Sequence, residues 1–203
     1  MATYRVLTAP ASAEQEIKRS RFIALAARVA SPQAAKAYIE SVRALHPQAR
    51  HVCSAFVAGT PDDSHCLGFS DDGEPSGTAG RPILAVLQGA GVGQICIAVV
   101  RYSGGIKLGT GGLVRAYGGT AQLAMQQAQW LAVEPEQQLL LRLSYDLTGR
   151  VEQLLQQFEA ELLDSVFADD VLFTVSVPER HSAGLQMQLT NISGGQIRCV
   201  VKQ

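Results

Sequence analysis

Three cations flank a single run of glycines, and their setting selects the chemistry open to them. In Val99-Val-Arg-Tyr-Ser-Gly-Gly-Ile-Lys-Leu-Gly-Thr-Gly-Gly-Leu-Val-Arg115, a β-branched stretch delivers Arg101 and Tyr102 to its end, and Lys107 follows in a glycine loop. Gly109, Gly111 and Gly112 then open a helical pattern that carries Arg115. The unpaired N–H groups of a helix start, together with its macrodipole, favour a negative ligand. Arg81 joins this set: from Pro75 to Val133 there is no Asp or Glu, so none of the four cations has an acidic partner nearby in sequence. The expected ligand is a phosphate group, bound by Arg81, Arg101, Lys107 and Arg115 with backbone donors at Gly109, Gly111 and Gly112. The competing reading is a strand-turn-helix corner whose cations are solvated.

Other chemistries find less support. The chain has neither a G-x-x-x-x-G-K-[ST] loop nor a G-x-G-x-x-G fingerprint, and no G-x-S-x-G elbow for a nucleophilic serine. Asp71-Asp-Gly-Glu74 offers three carboxylates, but it fails the calcium-loop pattern and reads as a solvated glycine-centred turn. His51, Cys53, His65 and Cys66 lack zinc spacing. No metal and no cofactor are expected, and no catalytic residue is assigned.

The composition sets outer limits. The chain has 203 residues, 47% apolar and 17% charged, with a net charge of −1, which excludes wholesale disorder. The longest notable apolar run, Ile95 to Val100, is far short of the roughly twenty residues that cross a bilayer. Arg5 interrupts the mildly apolar start, and no cleavage site follows, so a cytoplasmic location is expected. Cys53, Cys66, Cys96 and Cys199 are scattered and form no C-x-x-C pair; they are expected as reduced thiols.

The elements that must position the glycine loop follow from period and punctuation. Arg21 to Val29 reads as a strand. Ser31-Pro32 starts a helix with Ala35, Ile39, Val42 and Leu45 on one face, ended by Pro47. His51 to Val57 alternates as a strand, and Pro82 to Leu87 forms a short helix stopped by Gly89-Ala-Gly-Val-Gly93. Gln94 to Tyr102 is a buried strand, and Leu113 to Leu131 is a helix.

Glu134-Pro-Glu136 divides the chain into domains 1–133 and 136–203. Residues 1–133 carry twelve Lys/Arg against eight Asp/Glu, whereas residues 134–203 carry five against ten. The second domain reads as a strand at Leu139 to Leu143, a helix through Val151 to Phe158, and strands at Leu162 to Phe167 and Val171 to Val177. A helix through Leu185 to Ile192, stopped by Gly194-Gly195, and a last strand at Ile197 to Val201 complete it. This βαββαβ order predicts a ferredoxin-like sandwich, and the chain as a whole is α+β.

Arg101-Tyr-Ser-Gly-Gly-Ile-Lys-Leu-Gly109, preceded by Gly80-Arg-Pro-Ile-Leu84, closely resembles the signature of the IMPACT family. Phe69-Ser-Asp-Asp-Gly-Glu-Pro-Ser-Gly-Thr-Ala-Gly80 and Lys18-Arg-Ser-Arg-Phe22 resemble its other blocks. Two positions depart from the pattern: Ser103 replaces an aromatic residue, and His51-Val-Cys53 stands where His-His-Cys is usual. The resemblance implies an N-terminal fold like the second domain of a small-subunit ribosomal protein, shared with a domain of elongation factor G. It also implies a ferredoxin-like C-terminal domain resembling a further elongation factor G domain. Eukaryotic members regulate translation by competing with a kinase for its activator protein.

The expectation that follows is a non-catalytic, translation-linked regulator. It would bind RNA or a ribosomal surface through its basic glycine-rich face. A protein-binding regulator of translation or stress response is the first alternative, because the acidic C-terminal half suits a basic partner protein and repels RNA. An enzyme acting on a phosphorylated small molecule is the second.

Overall fold

The structure, a computed structural model, describes residues 3–202. The chain divides into two compact units, Tyr4–Val133 and the segment from Glu134 onward. Among the described residues no helix is long and apolar enough to cross a membrane.

The first unit runs β1 (Tyr4–Leu7), β2 (Ala11–Ile17), β3 (Ser20–Arg28), α1 (Pro32–Leu45), β4 (His51–Val57), β5 (Leu67–Ser70), α2 (Gly80–Ala90), β6 (Ile95–Tyr102), α3 (Thr110–Gln127) and β7 (Trp130–Val133). Five strands form an antiparallel sheet in the order β2-β3-β6-β4-β5, and β1 pairs separately with β7. The central strand β6 explains why its sequence is continuously apolar and does not alternate. Ile95, Ile97 and Val99 face a core shared with Ile83 and Leu87 of α2 and Leu113, Tyr117 and Ala121 of α3. Ala98 and Val100 face the opposite layer with Val42 of α1, and Cys96 packs there with Ala35. A strand covered on both faces buries every side chain, so the period-2 signal vanishes.

Local chemistry starts and ends these elements. Ser31 Oγ accepts the Ala34 N–H at 3.1 Å, which caps α1 ahead of Pro32. Gly91 ends α2 in the left-handed region at φ 59°.

One predicted boundary is corrected. The helix expected through Leu131 ends at Gln127, and Trp130 and Leu131 lie in β7 opposite Leu7 and Val6. The Thr8 N–H donates to the Gln129 carbonyl at 3.1 Å at the mouth of this pairing. A long-range ladder overrides a helical pattern that Trp and Leu satisfy equally well.

The second unit runs β8 (Glu136–Leu143), α4 (Thr148–Gln157), β9 (Glu161–Phe167), β10 (Val171–Pro178), α5 (Glu179–Ser193) and β11 (Arg198–Val201). Its antiparallel sheet has the order β11-β8-β10-β9, so the expected ferredoxin-like βαββαβ sandwich is present. Leu139, Leu141, Phe173 and Val175 bury one sheet face against Val151 and Leu154 of α4 and Leu185 and Leu189 of α5. The edge strand β9 is exposed along its whole length.

Candidate nucleic-acid interface

The glycine loop leaves β6 at Tyr102 and enters α3 at Thr110, and its path is dictated by a neighbouring turn. Between β2 and β3 the hairpin is closed by Lys18 and Arg19, both left-handed at φ 49° and 61°. Two-residue hairpins of this kind favour Asn and Gly, so a Lys-Arg pair is a strained choice. Gly104 packs directly on this turn: a Cβ there would lie 2.0 Å from the Arg19 carbonyl oxygen, a contact only glycine avoids. The Gly104 N–H donates to Ser20 Oγ at 3.2 Å, and Ser20 is fully buried. The packing brings the cations of two sequence blocks together: Lys18 and Arg19 at the hairpin tip and Lys107 in the loop are all exposed.

The start of α3 is open. Gly109 occupies the cap position at φ 75°, no side chain caps the helix, and its first turn holds no acid. The first helical bond runs from Leu113 N–H to the Gly109 carbonyl at 2.9 Å. The N–H groups of Thr110, Gly111 and Gly112 precede that bond and keep the donor capacity of a helix N-terminus. A side chain at Gly109 or Gly111 would meet nothing within 4 Å. Arg115 lies exposed in the second turn.

Arg101 behaves differently from the expectation of uncompensated charge. Its Nη1 donates to Glu74 Oε1 at 2.6 Å, and the two side chains are 11% and 4% exposed. The Tyr117 hydroxyl donates to the same oxygen at 2.7 Å. The Arg101 guanidinium carbon lies 5.7 Å from the Phe22 ring centroid, and Phe22 meets Tyr117 edge-on at 5.3 Å. The acid is 27 residues upstream, so proximity in sequence could not reveal it. Arg81 is also drawn elsewhere: its guanidinium lies 5.7 Å from the Phe69 ring centroid, and its charge acts on Asp71. Lys107, Gly109, Gly111, Gly112 and Arg115 thus share the loop and the opening of α3. Arg101 braces the loop from beneath, and Arg81 sits at the start of α2.

The acidic segment is not the solvated turn that its composition suggests, because each carboxylate is engaged within the fold. Asp71 accepts the N–H groups of Gly77 at 2.7 Å, Ala79 at 3.0 Å and Gly80 at 2.8 Å, capping α2 from outside the helix. Asp72 takes a two-pronged bond from Arg43 and the Val52 N–H at 2.6 Å, tying α1 and β4 to the turn. Burial pushes the Asp71 carboxyl up, but the N–H groups of Gly77, Gly80 and Ala79 outweigh it and hold the group below its ordinary 3.8. For Asp72, burial again opposes, and Arg43 and Val52 prevail in the same direction.

Burial also pushes the Cys53 thiol up to about 12, which leaves it a poor nucleophile. All four cysteines are free thiols.

Residues 18–125 match the Impact N-terminal domain, and residues 141–196 match a domain of unknown function (DUF1949). The IMPACT family member YigZ of Escherichia coli (strain K12) is 46% identical over 198 residues, covering 98% of this chain and 97% of that protein. The chain belongs to the IMPACT family. The IMPACT family member YvyE of Bacillus subtilis (strain 168) is 36% identical over 182 residues, 89% of this chain and 82% of that one. A crystal structure described as that of an hypothetical protein shares 45% identity, with a TM-score of 0.75 over 100% of this chain and 98% of its own. The Impact match opens at Lys18 and closes inside α3, so it spans the hairpin tip, the acidic turn and the glycine loop.

Two outcomes follow from the buried acids. Glu74→Gln strips the counter-charge from a largely buried Arg101 and should cost about 3–5 kcal/mol by urea denaturation, whereas Glu74→Leu with Arg101→Met should recover most of that loss. An unchanged midpoint in Glu74→Gln would remove the brace from the account. For Asp71 and Asp72 the folded state holds its carboxylates below the unfolded value, so the unfolded chain takes up protons first as pH falls. Their contribution should be complete at neutral pH and lost as pH drops below about 3.8 through the folded-state values. Asp71→Asn should therefore lower stability at pH 7 and flatten the acid limb of the stability curve.

Proposed function

We propose that this IMPACT family member binds RNA without catalysing a reaction, meeting a single strand or an RNA surface of the ribosome through the glycine-loop face. The observation that supports this most strongly is charge separation. The carboxylates of Asp71, Asp72 and Glu74 are spent on internal contacts, while Lys18, Arg19, Lys107 and Arg115 stay exposed and have no acidic partner among the described residues. Exposed cations spread over a hairpin tip, a loop and a helix start suit a backbone of repeated phosphates better than a single compact anion. The open N-terminus of α3 adds backbone donors for one of those phosphates. The contacts proposed here are all to phosphate, so affinity should depend on charge and little on sequence.

A regulatory protein partner is the second reading, and one feature favours it. The second unit is acidic, and β9 exposes Leu162, Leu163, Val166 and Phe167 on an edge strand, which suits a basic partner protein.

The test is a salt titration with a fluorescent single-stranded RNA followed by anisotropy. Neutralising three or four phosphates gives a slope of log affinity against log salt of about −2 to −3. Lys107→Ala should reduce that slope by about 0.7 and weaken binding alike across sequences. Unchanged affinity and slope in a stably folded Lys107→Ala protein would make the glycine corner architectural and move the protein partner to first place.

A further inference from the structure

Beside the basic face, a cleft of about 430 Å³ opens where β4 begins and β6 ends. His51 and Arg101 face each other across that strand pair, and Arg50, Tyr102 and Ser103 join them in lining the cleft. Among the described residues no carboxylate lines it. We infer that this cleft is a binding site for a phosphomonoester.

The side chains present donors that are already fixed or available. Glu74 holds the Arg101 guanidinium by Nη1, while its buried Nε has no partner, so the group is oriented before any ligand arrives. Ordering a guanidinium in advance lowers the entropic cost of binding. Arg50 is exposed and has no acidic partner among the described residues. His51 Nδ1 lies 2.8 Å from the Asp72 carbonyl oxygen, which can only accept, so Nδ1 carries the proton. That leaves Nε2 to meet a ligand, accepting from a protonated phosphate oxygen. Ser103 Oγ accepts the Gly105 N–H at 3.4 Å, so its own proton is available to donate.

Arg50 brings the uncompensated charge, Arg101, already paired with Glu74, brings a fixed guanidinium, and Ser103 brings a hydroxyl donor. The His51 Nε2 acceptor is matched by the P–O–H that a phosphomonoester can carry and a phosphodiester cannot, and the several donors match its three terminal oxygens. Such a group occurs at the end of an RNA strand or on a free nucleotide, and the site's chemistry is common to both. The RNA source rests on the function proposed above; the site itself does not.

The experiment compares one short fluorescent RNA bearing a 5′-phosphate, a 3′-phosphate or only hydroxyl ends, with AMP as competitor, on the full chain. At least one phosphorylated end should bind about tenfold more tightly than the hydroxyl-ended strand. Arg50→Ala should erase that preference and leave hydroxyl-ended binding unchanged. Equal binding of all three strands without AMP competition overturns the cleft site and leaves the RNA face standing. AMP binding that Arg50→Ala abolishes, with no strand bound, supports the site with a free nucleotide as its source and overturns the RNA reading. No binding by any strand or by AMP overturns both.

Discussion

The carboxylate of Glu74 ties together the elements that frame the glycine loop. One oxygen receives Arg101 from the end of β6 and Tyr117 from α3, the two elements between which the loop is strung. A buried ion pair contributes little net stability, because desolvation offsets most of the attraction; its effect here is to fix position. Removing either partner leaves the other as an uncompensated buried group. Burial, together with Cys53 and Glu74, pushes the Tyr117 phenol far up from its ordinary value, so it stays protonated and remains a donor.

The neighbouring acids extend the same logic. Asp71 caps α2, Asp72 ties Arg43 of α1 to the backbone of β4, and Glu74 reaches β6 and α3. One short turn thus anchors five elements and commits its three carboxylates in doing so. The loop stands on the far side of that brace, where Gly104 locks it against the Lys18-Arg19 hairpin. Strain at Lys18 and Arg19 is tolerated there, and it sets two cations beside the loop that carries a third. Stability and charge distribution are linked at this turn: its three carboxylates face inward, and Lys18, Arg19, Lys107 and Arg115 are left outside.

Much of this was legible from residues alone. Ser31-Pro32, His51 to Val57, the helix over Pro82 to Leu87 and the whole βαββαβ order carry local signals of capping, period and punctuation, and the fold follows them. The basic glycine loop was visible because its composition departs so far from that of its neighbours. Long-range partners were not visible. Arg101 looked unpaired because Glu74 lies 27 residues away, and Trp130 looked helical because its β partner Leu7 lies at the other end of the unit. The Asp-Asp-Gly-Glu run hid its role because acids around a glycine resemble any exposed turn until the N–H groups they cap are placed. Lys18 and Arg19 were recognisable as part of a motif, but only the close approach of Gly104 joins them to the loop.

The central claim is that the outward charge of this braced corner, and not the acidic second unit, is where RNA binds. Hydrogen–deuterium exchange of the full chain, with and without saturating hydroxyl-ended single-stranded RNA, addresses it most directly. The account predicts slowed exchange confined to residues 18–20 and 103–113. Slowed exchange only beyond residue 134, or no change anywhere at saturation, would contradict it.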